Sequence, residues 1–140
     1  MAYDPQVGKQ KTYFIEPDIM VMEFVGIVLP EEATEMCRRH EEWSVGRKRV
    51  FFAIDASKLE KMEPEVRRIA NESMLKMPVR GLAIHSAPLK ARVIIKLVLT
   101  AFKLFGDRAD KAPLVYFSNR DEAIAWINER RTALDAANSD

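Results

Sequence analysis

The sequence predicts one α/β sandwich domain, with a mostly parallel five-stranded sheet, an antiparallel first strand and about four helices. Three observations carry this. Strand-like apolar runs alternate with amphipathic segments after an opening hairpin. The run Arg49-Val-Phe-Phe-Ala-Ile-Asp55 is continuously apolar between charges, as a central strand covered on both faces must be. Each amphipathic segment follows a proline or a polar capping residue. The size agrees: a chain of 140 residues with 48% hydrophobic residues builds one core without metal or disulfide help.

Taken in order, Thr12–Ile15 and Asp18–Val28 read as a hairpin, with Glu16-Pro17-Asp18 as the turn, since Pro cannot continue a ladder and Asp favours turns. Pro30 followed by Glu31 and Glu32 starts a helix that runs to about Trp43, before Gly46; the acids sit at the positive end of its dipole. After the strand 49–55, Pro64 starts a second helix carrying Val66, Ile69, Ala70, Met74 and Met77, which must stop near Pro78. Arg80–Ser86 is the next strand. Pro88 introduces a third helix, apolar nearly to Gly106, a fitting left-handed cap. Leu114–Phe117 is the last strand, and Ser118 or Asn119 caps a final helix reaching about Leu134, with an acid three positions on. The domain spans 12–134, with flexible ends at 1–11 and 135–140.

Composition narrows the function. Twenty-two Lys plus Arg against 21 Asp plus Glu give a net charge of +1 and no global pull toward nucleic acid. One Cys makes no internal disulfide, and the opening MAYDPQVGKQKTY lacks an apolar core of signal-peptide length, so the expected location is cytoplasmic. Residues 16–42 are acidic and residues 80–111 basic, complementary patches that favour self-association or a charged partner.

The third helix stands out. At about 100° per residue, Arg92, Lys96, Thr100, Lys103 and Asp107 fall on one stripe of about 80°. Val93, Leu97, Val98, Phe102, Phe105 and their neighbours fill an arc of about 240°, more than the stripe a helix needs to cover a sheet. One apolar flank is therefore left over for another helix of the chain, a second subunit, a hydrophobic ligand or a membrane surface. Lys96 and Lys103 break the apolar stretch well short of the roughly 20 residues that span a bilayer.

Chemistry-bearing residues are sparse. Cys37 and His40 sit mid-helix without an oxyanion-donor motif. Ser86, His85 and Asp55 spell a Ser-His-Asp set, but adjacent strand residues point to opposite faces, so His85 and Ser86 are expected not to meet, and Ser86 to cap the third helix. Two His and one Cys make no zinc pattern, and five isolated glycines make no phosphate-cradling loop. Arg47-Lys48-Arg49 reads as a solvated loop. No catalytic residue, metal or cofactor is predicted.

The strand ending Phe52-Ala53-Ile54-Asp55-Ala56-Ser57 resembles the STAS fold of bacterial anti-sigma-factor antagonists. The segment Val115-Tyr-Phe-Ser-Asn-Arg-Asp-Glu-Ala-Ile-Ala-Trp-Ile127 is similar to the SpoIIAA-like branch related to STAS and Sec14 lipid-binding domains. The resemblance implies structural roles for Asp55, Asp121, Ala123 and Trp126, with Trp126 anchoring the last helix on the sheet. It also implies a phosphorylatable Ser at the start of the second helix, where this chain has Lys61-Met62-Glu63-Pro64-Glu65. Glu63 or Glu65 offers a fixed negative charge there.

Together these predict a non-enzymatic regulatory or protein-interaction domain, a homodimer without the phosphoserine switch, acting through Val93, Leu97, Val98, Phe102 and Phe105 beside Lys96 and Lys103. The alternative is a carrier or sensor of a small hydrophobic ligand or lipid that uses helix 89–105.

Overall fold

In a computed structural model that describes residues 4–103 and 111–137, six strands form one sheet in the order β1-β2-β3-β4-β5-β6. The strands are β1 Gln6–Val7, β2 Gln10–Ile15, β3 Ile19–Val28, β4 Val50–Met62, β5 Val79–His85 and β6 Leu114–Phe117. The first three run antiparallel; β3 to β6 are parallel. The helices are α1 Pro30–Ser44, α2 Pro64–Leu75, α3 Leu89–Lys103 and α4 Arg120–Ala137.

Because β3 to β6 are laid down side by side in chain order, right-handed connections put α1, α2 and α3 on one face. The other face is left to α4. Two apolar clusters follow: Met20, Phe52, Ile84 and Ile95 belong to the three-helix side, and Val21, Phe51, Ala53, Ala83 and Ile127 to the α4 side. The consecutive residues Phe51, Phe52, Ala53 and Ile54 alternate between them. On the α4 side Gly81 permits close approach, since a Cβ there would lie 3.0 Å from the Trp126 ring. Trp126 thus anchors α4 on the sheet. Asn119 caps α4, its Oδ1 accepting from the Glu122 amide at 3.0 Å, while Glu122 Oε1 accepts from the Ser118 amide.

The sheet departs from expectation in two places. It has six strands rather than five, because the opening segment folds back as β1. Gly8, at φ +59°, makes the turn, and Glu32 holds it by accepting from the Lys9 amide at 2.8 Å while also capping α1 through the Leu29 amide at 2.8 Å. Burial works to raise the Glu32 carboxyl, and these amides outweigh it, holding the group below the usual carboxylate range. Strand β4 also runs on past Asp55 to Met62, paired with β3 through two bulges, because Ala56 and Leu59 remain buried. The proposed cap Gly106 lies outside the described residues.

Candidate functional site

Helix α3 has two unlike apolar sides. Ala91 and Ile95 are buried, and Ile94, Val98 and Leu99 half-buried, against α2 and the sheet. Val93 and Leu97 are 54% and 48% exposed, and Leu89, one turn before Val93, is 78% exposed. Leu89, Val93 and Leu97 stand four residues apart and so share one row. Lys90, Arg92 and Lys96 are exposed on the same helix, which has no acidic residue in its first turn. Of the predicted residues, Val93, Leu97 and Lys96 are therefore on the outer surface. Val98 is not: its half-buried side chain turns inward. The side chains of Phe102 and Lys103, and Phe105 altogether, lie outside the described residues. Leu89 was missed because the apolar arc was read only from Arg92 onward, although its spacing to Val93 was visible.

Beneath α3, between the sheet and the three helices, lies a cavity of about 80 Å³. Ile95, Val98 and Leu99 roof it, and Met22, Met62, Met74 and Met77 contribute to its walls. Sequence reasoning assigned the helical methionines to the core without seeing this space. Its signal was their clustering, since the chain has only seven Met.

Cys37 and His40 line the same cavity from α1. Burial pushes the Cys37 thiol up, away from the reactive thiolate. His40 is 2% exposed, with Nε2 2.7 Å from Thr12 Oγ1, and stands edge-on to Phe14 and Phe52. The Thr12 hydroxyl gives its proton to the Val21 carbonyl at 3.1 Å, which leaves His40 to donate from Nε2. Burial, helped by the charge of Arg39, pushes His40 down to about 3.

Where β5 ends, the register sets Glu23, Asp55 and His85 side by side on three neighbouring strands, with Glu23 and Asp55 in the middle of β3 and β4. Asp55 Oδ1 accepts from the Ser57 amide at 2.9 Å, a local bond made within β4 where its pairing with β3 is bulged. Contrary to expectation, His85 and Ser86 do meet, with Nδ1 3.0 Å from Oγ. Ser86 is past the strand end at φ 61°, and this left-handed conformation swings its side chain back toward its neighbour. Nor does Ser86 cap α3; its hydroxyl reaches the Ser118 carbonyl at 3.3 Å. Among the described residues no hydrogen bond joins Asp55 to His85, so the Ser-His pair lacks the carboxylate that orients a catalytic imidazole. Among them, too, no three His, Cys, Asp or Glu groups are placed to hold a metal ion, and no helix is long and apolar enough to cross a membrane.

At the start of α2, Glu63 is the N-cap, with its carboxylate 3.0 Å from Lys61 Nζ. Asp121 lies in the exposed first turn of α4, at the positive end of that helix's dipole.

No family model and no curated protein matches the chain. Solved structures do. The unphosphorylated form of the anti-sigma factor antagonist SpoIIAA superposes over 86% of this chain and 96% of its own, with a TM-score of 0.61 and 7% identity. An uncharacterised protein of the DUF3478 family with a SpoIIAA-like fold, from Shewanella loihica PV-4, covers 90% of this chain and 98% of its own, with a TM-score of 0.61 and 15% identity. The chain has the SpoIIAA-like fold, as its residues led one to expect.

Proposed function

We propose that this chain is a non-enzymatic regulatory or protein-interaction domain that works as a homodimer, without a phosphoserine switch, through the outer row of α3. One observation carries the reading: Leu89, Val93 and Leu97 form a single row in which each side chain is about half exposed or more. Full burial of such side chains is worth about 1.5–3 kcal/mol each. The wet row thus forgoes a few kcal/mol per copy, which a self-complementary contact recovers twice over. The fold likeness to an anti-sigma factor antagonist agrees with a regulatory role.

Leu97→Glu tests this. The expected result is a folded monomer at concentrations where the unchanged protein sediments as a dimer. An unchanged protein that is monomeric throughout sinks the homodimer.

A second reading, a carrier or sensor of a hydrophobic ligand or lipid, is favoured by the cavity beneath α3.

A further inference from the structure

The inner side of α3 roofs a space with unusual walls. Among the described residues most of its few polar neighbours are engaged: Ser73 Oγ donates to Glu41 Oε2 at 2.9 Å, His40 Nε2 serves Thr12, and Cys37 Sγ faces the Ile69 carbonyl at 4.0 Å. A buried water needs two to four polar partners, and the described lining, nearly all apolar, does not supply them. For the same reason a charged or strongly polar ligand would lose its hydration without replacement.

Size narrows the choice further. About 80 Å³ is roughly half the ~150 Å³ of an engineered apolar cavity that stays dry and takes benzene or xenon. A full lipid chain does not fit this shape. The walls can yield, however, since four of the seven methionines, Met22, Met62, Met74 and Met77, line the space. Methionine is unbranched and repacks around a guest at small cost. Met20 and Met36, more deeply buried than most of these, lie elsewhere in the core.

We infer that this cavity is a binding site for a small uncharged hydrocarbon group, either a free molecule of about benzene size or less, or the methyl end of an acyl chain. The inference deepens the carrier-or-sensor reading and does not depend on the outer row of α3.

The test uses the whole protein with methionine methyl groups labelled with carbon-13, titrated separately with xenon, benzene and decanoate. The expected result is a saturable shift of the Met22, Met62, Met74 and Met77 methyls, with those of Met20 and Met36 unmoved. Response to xenon and benzene alone identifies the guest as a free molecule. Response to decanoate at lower concentration than benzene identifies it as a chain end. The site is overturned if the four methyls ignore all three guests, or if all six methyls move alike. Ala70→Leu, at a wall position on α2, should weaken the response at least tenfold by filling the space, with Val98→Phe as the second choice if that variant does not fold. A full response in either folded variant also overturns it. The broader carrier reading fails on a different result: native mass spectrometry that finds no adduct removable by organic extraction.

Discussion

His40 makes acid stability a direct probe of the core. In the unfolded chain an ordinary histidine takes up a proton below pH about 6.5, whereas burial in the fold pushes His40 down to about 3. The unfolded state therefore binds more protons throughout that window, and stability falls as the pH falls. The contribution is fully present above pH 6.5 and is lost between 6.5 and 3, with a slope of about 1.4 kcal/mol per pH unit. From pH 7 to pH 4 the loss is about 3 kcal/mol, a large part of the roughly 5–15 kcal/mol that holds a domain together. In urea titrations this moves the midpoint down by about 2 M for an ordinary m-value. Buried carboxylates such as Glu32 also lose stability in acid, so the comparison is with His40→Gln, which keeps a donor for Thr12 and cannot titrate. Its midpoint should fall less steeply by about the slope given. Parallel loss in the two proteins between pH 6.5 and 4 would refute the reasoning, and with it the neutral, unhydrated environment assigned to this side of the cavity.

Arg131 on α4 grips Asp18 with two bonds, at 2.9 and 2.6 Å, and Asp18 is 5% exposed. Arg131→Met leaves that carboxylate buried and unpaired and should cost about 3–5 kcal/mol in chemical denaturation, much of it restored by adding Asp18→Asn; a loss below 1 kcal/mol contradicts the assignment. Gln10 is fully buried, and its carboxamide bridges the Val25 amide at 2.8 Å and the Val25 carbonyl at 3.0 Å, in place of the backbone partner that β2 lacks there. Gln10→Ala should cost about 1–3 kcal/mol and expose the Val25 amide to hydrogen exchange, whereas unchanged protection of that amide would show that another group supports it.

Much of this architecture was legible before any coordinates, and the reasons are local. Proline at the first turns of α1 and α2 stops a strand and starts a helix within a few residues. Asn119 with Glu122 fixes the start of α4 in the same way. The alternation of Phe51 to Ile54 between two cores follows from the strand period of two. Signals that depended on a distant partner were not legible. Strand β4 looked finished at Asp55, because its extension is held by β3 across two bulges. The segment before Thr12 looked free, because the groups that order it, Glu32 and Val25, lie far along the chain.

For α3 the division is sharpest. Its sequence alone determined that apolar surface exceeds what one sheet face can cover, since helical periodicity fixes how side chains are distributed around the axis. Rotation about that axis is set by neighbours, and only the packing against α2 and the sheet decided that Ile95 and Leu99 turn inward while Leu89, Val93 and Leu97 stay out. The cavity likewise belongs to no segment. It is the space that side chains from four strands and three helices leave between them, and a volume of that kind exists only once all of them have met.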